Sequence, residues 1–112
     1  MQVFFKSRDA QSADLLDLTH RRTRFVLRRL AWLVPHATVR MSDVNGPRGG
    51  IDKQCQVELK TDVAGTVVVT SVASDWRSAL DKALARAARF VLRLVRRGSD
   101  PRRSRQRAIA LD

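Results

Sequence analysis

The chain has no tyrosine, a single cysteine, two histidines and no long apolar run in its 112 residues, and each shortage removes a class of protein. One thiol, Cys55, excludes an internal disulfide. No window approaches the roughly 18 to 20 apolar residues that a membrane span needs. The opening Met1-Gln2-Val3-Phe4-Phe5-Lys6-Ser7-Arg8-Asp9 has too short an apolar run for a signal peptide, so a cytoplasmic protein is predicted. His20 and His36 have no partner at metal-ligand or triad spacing, which leaves them surface or capping roles. Cys55 falls in an apolar row with nothing nearby to lower its pKa and reads as a small core residue. The segment Gly46-Pro47-Arg48-Gly49-Gly50 lacks the Lys-Ser/Thr and the following helix of a nucleotide-binding loop. Asp43 and Asp52 bracket that segment without the dense carboxylates of a cation loop, and turn-forming side-chain bonds account for them. No enzyme, cofactor, metal or small-molecule substrate is expected. A chain this short buries one core, not two with a cleft between them.

What is present is charge of one sign. There are 22 Lys+Arg against 11 Asp+Glu, giving a formal net charge of +11. Only Lys6, Lys53, Lys60 and Lys82 are lysine. The rest are arginine, whose planar fork suits phosphate and base recognition better than a point ammonium does. Polyanions are the expected partners.

The hydrophobic pattern divides the chain into six elements. Gln2 to Ser7 is short, aromatic and β-branched, and reads as a strand. A helix over roughly 13–33 follows, with Ser12 as N-cap, Asp14 and Asp17 near its start, and an apolar stripe of Leu15, Thr19, Val26, Leu30 and Leu33 ended by Pro35. Ala37, Val39 and Met41 then alternate with polar residues. After the glycine-rich break Ile51, Cys55, Val57 and Leu59 alternate with Asp52, Gln54, Gln56, Glu58 and Lys60, which makes a hairpin with one face toward water. A turn at 61–65 leads into a fourth strand, Thr66 to Val72. Ser74 or Asp75 caps a last helix whose apolar face is Trp76, Leu80, Ala83, Ala87, Val91, Leu94 and Val95. It reaches about Arg97, is stopped by Gly98, and is kept from resuming by Pro101. Trp32 and Trp76 read as core anchors. The order β-α-β-β-β-α predicts an α+β two-layer fold, a four-stranded, largely antiparallel sheet with both helices on one face. One domain spans 1–97, and 98–112 is a basic tail expected to be disordered.

The charge is not spread evenly. Residues 35–74 are neutral overall, 12–34 carry +3, and 75–112 carry +7 from eleven basic and four acidic residues. Lys82, Arg86, Arg89, Arg93, Arg96 and Arg97 follow helical spacing and make one stripe along roughly 20 Å of helix. A merely solvated face mixes signs at i and i+4, whereas this stripe has no carboxylate after Asp81, so its charges repel unless a partner neutralises them. The first helix adds Arg21, Arg24 and Arg28, and the two helices together predict a two-lobed basic surface for nucleic acid. A lipid surface fits less well, because the apolar faces are needed for the core and no aromatics border the stripe.

With these residues identified, the chain resembles the ribosome hibernation-promoting factor and ribosome-associated inhibitor family, also called the ribosomal subunit interface or sigma-factor modulation family. The resemblance covers about residues 1–97. It is carried by Val39-Arg40-Met41-Ser42-Asp43-Val44-Asn45-Gly46-Pro47-Arg48-Gly49-Gly50-Ile51-Asp52-Lys53 and by the helix entry, where Asp75, Ala79, Leu80 and Asp81 match the family's Asp, Ala, Ile and Asp. Arg86, Arg89, Arg93 and Arg96 fall on its basic helix positions. The resemblance implies a non-enzymatic protein that binds the small ribosomal subunit and its ribosomal RNA, where messenger and transfer RNA would lie, and inhibits translation in stationary phase or stress. Structured RNA is recognised largely through shape and phosphates, which suits a rigid cationic surface. Arg48 is a possible further contact. Two other readings stand beside it: a general structured-RNA or nucleic-acid-binding module, and a protein-interaction module docking through Arg40, Gln54, Gln56 and Glu58 or the Arg48 loop.

Overall fold

A computed structural model describes residues 1–7, 13–44, 52–63 and 65–99. The elements run β1 (Gln2–Ser7), α1 (Ala13–Val26), β2 (His36–Asp43), β3 (Lys53–Thr61), β4 (Gly65–Ala73) and α2 (Trp76–Ser99), the predicted α+β order. Arg48 and residues 100–112 lie outside the described residues.

The four strands form one sheet in the order β1-β2-β3-β4, with β1 parallel to β2 and the other neighbours antiparallel. Period-two alternation fixes the register, since a slip of one residue would turn every apolar side chain to the other face. Val3 lies opposite Ala37, Val39 opposite Val57, Met41 opposite Cys55, and Leu59 opposite Val67. All of these are buried. The intervening row, including Phe4, Arg40, Gln56, Lys60, Val68 and Val72, lies on the uncovered face. Gly65 takes a positive φ of 71° at the β3–β4 turn, where the Thr61 hydroxyl donates to Gly65 O at 2.7 Å.

Both helices cover the inner face, α1 chiefly on β1 and α2 on β3 and β4. Ala79, Leu80, Ala83, Leu84, Ala87 and Val91 of α2 are fully buried. Trp76 packs at the margin of the core, as expected. Asp75 is the N-cap: Ser78 donates its backbone N–H to Asp75 Oδ1 at 2.8 Å and its hydroxyl to Oδ2 at 2.9 Å. These bonds hold the Asp75 carboxyl below the usual carboxylate range.

Four expectations need correction. The first helix stops at Val26 instead of running to Leu33. Beyond it Leu30 N–H donates to Leu27 O at 2.9 Å, and Leu33 N–H to Leu30 O at 2.9 Å. Leu27, Leu30 and Leu33 are spaced by threes, the period of a three-residue turn, and this winding sends Leu27, Leu33 and Val34 into the core. It also turns Trp32 out of the core, 74% exposed. At its far end α2 passes through Gly98 to Ser99. A helical glycine costs about 1 kcal/mol relative to alanine and need not end a helix. Finally Asp52, placed in the water-facing row, is buried, because β3 begins only at Lys53 and Asp52 lies before its alternation. Lys53 Nζ lies 2.6 Å from Asp43 Oδ2, 3.5 Å from Asp52 Oδ1, and 5.3 Å from the centre of the Trp76 ring.

Candidate nucleic-acid interface

The basic stripe occupies the flank of α2 that faces the exposed edge of the sheet. β4 is an edge strand, and Arg86 reaches it, donating from Nη1 to Thr70 O at 2.8 Å and to Ser71 Oγ at 3.2 Å. Between helix and strand runs an open groove of about 460 Å³ lined by Thr70, Ser71, Val72, Lys82, Ala85, Arg86 and Arg89. One turn further, a smaller hollow of about 240 Å³ is lined by Arg89, Leu92, Arg93 and Arg96. Lys82, Arg86, Arg89, Arg93, Arg96 and Arg97 are all exposed. Among the described residues, no Asp or Glu pairs with Lys82, Arg86, Arg89, Arg93 or Arg97.

The α1 cations are arranged differently. Arg21 pairs with Asp17 at 3.0 Å one turn back. Arg24 donates to Met1 O at 3.4 Å. Arg28 lies past the end of α1, in the three-residue turns, where it donates to Phe25 O at 2.7 Å with its guanidinium carbon 4.3 Å from the Phe25 ring centre. Arg22, at the margin of the apolar stripe, bonds Asp81 of α2 at 3.0 Å, so this pair marks the side of α2 turned toward α1. Asp81 and Arg86 are about 140° apart around a helix of 3.6 residues per turn. The α2 stripe is therefore turned away from the Arg22–Asp81 contact that marks the side of α2 facing α1.

Other chemistry-bearing groups lie apart from the basic flank. Cys55 is fully buried, and desolvation pushes its thiol up to about 12, so almost no thiolate is present at neutral pH. His36 opens β2 half-buried, 5.9 Å from the Phe4 ring, and His20 is partly exposed on α1. Lys53 is held above the usual lysine range by its hydrogen bond to Asp43. No group of three or more metal-binding side chains occurs among the described residues. No helix there is long and apolar enough to cross a membrane.

Three features escape the sequence reading. Arg86 doubles as a clip on β4, a role that spacing along one helix does not reveal. Phe25 and Trp32 are exposed, 55% and 74% respectively, and the three-residue spacing of Leu27, Leu30 and Leu33 is the signal that would have shown it. The tethering of Lys53 to the hairpin and to Trp76 needs the strand register.

No protein-family model matches the chain, and no curated protein sequence does. Solved structures do. A ribosomal subunit interface protein from Coxiella burnetii superposes with a TM-score of 0.66 at 13% identity, over 83% of this chain and 96% of its own. The N-terminal domain of Protein Y from Thermus thermophilus gives 0.59 at 20% identity, over 80% and 99%. At these identities the likeness is one of fold, and the fold shared is that of the proteins the motif resemblance pointed to.

Proposed function

We propose that this chain is a non-enzymatic, ribosome-associated factor that binds the small ribosomal subunit through ribosomal RNA and inhibits translation. The observation that carries the proposal is the cationic flank of α2. Lys82, Arg86, Arg89 and Arg93 lie along one helix, without carboxylate partners among the described residues, beside a groove open to solvent. Phosphates spaced along an RNA backbone neutralise such a row, and the released counterions drive the association. The motif resemblance and the likeness of fold to a ribosomal subunit interface protein support the ribosome as the source of that RNA. A cytoplasmic location belongs to the same reading. The stretch 100–112, after α2, is a separate basic segment of the sequence in this proposal, and Arg48 a secondary contact.

Co-sedimentation with small subunits, large subunits and whole ribosomes across a salt series, with a generic structured RNA as competitor, tests the proposal. Saturable binding to small subunits that resists the competitor is expected, together with inhibition of a translating extract. Binding that the competitor removes in proportion to its phosphate concentration would reduce the chain to a general RNA-binding module. Binding that survives high salt would point instead to docking on protein.

A further inference from the structure

We infer that the segment from Phe25 to Trp32, where α1 gives way to three-residue turns, is a stacking site for an unpaired RNA base, with Trp32 as its platform. The inference rests on RNA being the partner and adds a contact that charge alone does not supply.

Trp32 is 74% exposed, so it contributes little to the core. Its ring is nevertheless held: Nε1–H donates to Arg29 O at 3.1 Å. That bond uses the only polar donor of the indole and leaves its π-face as the remaining binding surface. A flat ring already fixed in orientation loses little freedom when a second flat ring settles on it. Phe25, seven residues earlier, is also exposed and carries the Arg28 guanidinium over its ring at 4.3 Å. Arg28 is fixed in turn by its bond to Phe25 O, so one face of a planar cation is presented outward, another surface on which bases stack.

Charge selects the occupant. Arg24, Arg28 and Arg29 are exposed, and among the described residues none is paired with a carboxylate. Asp62 bonds Leu33 O, one residue beyond the segment, through its backbone N–H at 3.2 Å. A neutral protein surface would have to strip water from three guanidinium groups without compensating them. A strand with flat bases and an anionic backbone satisfies ring and cations together. Bases within a duplex stay in their own stack, so the occupant is unpaired.

The test uses the full chain and fluorescence anisotropy at fixed salt, with a labelled oligouridylate of about ten nucleotides and an abasic oligoribophosphate of the same length. The wild-type chain should bind the oligouridylate more tightly. Trp32→Ala should weaken oligouridylate binding roughly 5- to 150-fold, leave the abasic strand unchanged and leave the melting temperature in place, with Trp32→Phe recovering part of the loss. Equal wild-type affinity for the two strands, or a Trp32→Ala effect that is nil or the same on both, overturns the stacking site. Small-subunit co-sedimentation separates the two proposals. If it persists while the two strands bind equally, stacking alone has failed; if it is absent while base-dependent binding holds, the ribosome reading alone has failed.

Discussion

Arg86 of α2 bonds Thr70 O of β4 at 2.8 Å, so one side chain belongs both to the cationic flank and to the protection of the sheet edge. Arg89, one turn on, lines the same groove with no bond to the strand. Arg86→Ala should therefore lower stability by about 0.5 to 1 kcal/mol as well as weaken RNA binding. Arg89→Ala should weaken binding with the melting temperature unmoved. Thermal melts of the two variants beside their sedimentation profiles make the comparison, and equal melting temperatures would remove the edge role of Arg86.

Reversing Arg89 and Arg93 to Glu tests the flank without cutting the Arg86 clip. Each neutralised phosphate contributes a slope of about 0.7 to 0.9 in log affinity against log salt. The double variant should lose well over tenfold in affinity and shed about 1.4 to 1.8 from that slope. A slope unchanged by the substitutions would take these two arginines out of the interface.

Thr19 and Thr23 of α1 are fully buried, and among the described residues neither hydroxyl has a hydrogen-bond partner. Valine has nearly the same shape and no polar atom to desolvate. Thr19→Val and Thr23→Val should each stabilise the fold by about 1 kcal/mol, a rise of about 4 °C or more in melting temperature for a domain of this size. A lower melting temperature for either would mean that the hydroxyl finds a partner in solution.

Cys55 ties stability to alkaline pH. Below its ordinary value of 9.0 the thiol is protonated in folded and unfolded chains alike, and its contribution is fully present. As pH rises toward about 12 the unfolded chain releases the proton while the folded chain retains it. Stability should then fall by up to about 1.4 kcal/mol per pH unit. Urea titrations at pH 8 to 11 on the wild type and Cys55→Val isolate the term, which should vanish in the variant. A thiol reagent at neutral pH should modify the wild type only as fast as it unfolds.

Asp75 acts at the other end of the scale. Its folded pKa is lowered chiefly by the Ser78 backbone N–H, so its contribution is present above the ordinary carboxylate value of 3.8 and is lost as pH falls through the folded value. Asp75→Ala should lower the melting temperature at pH 7 and converge on the wild type in strong acid. Parallel curves over the whole range would show that the cap contributes nothing.

The sheet was almost fully legible in the sequence because period two has only one solution once one face must be buried. Val39, Met41, Cys55, Val57 and Leu59 could face only inward. The end of α1 was not legible, since Leu30 and Leu33 satisfy a helical stripe and a three-residue winding equally well, and only their packing chooses between them. Trp32 followed that error outward. The cations of α2 were legible as a stripe because i+3 and i+4 steps stay on one face. Their relation to α1 was not, because it depends on which flank of α2 meets Arg22, a fact of packing. Asp52 was misread for a local reason: alternation was extended one residue beyond the first residue of β3.

The parallel pairing of β1 with β2 divides the molecule by the order in which its parts can form. β2, β3 and β4 are joined by short connections, and α2 packs on the last two of them. β1 reaches its place only after the whole of α1 has looped across, a closure that carries more entropy than either antiparallel pairing and fixes fewer contacts in return. The meander and α2 are thus expected to form early and to open last, and β1 with α1 to detach first, an order that amide hydrogen exchange would read. The principal cationic flank rides on the part expected to open last. A chain whose leading strand has let go would still present Lys82, Arg86, Arg89 and Arg93 in register on α2, so under the proposed function local opening at the N-terminus should loosen the Trp32 contact and leave the α2 flank in place.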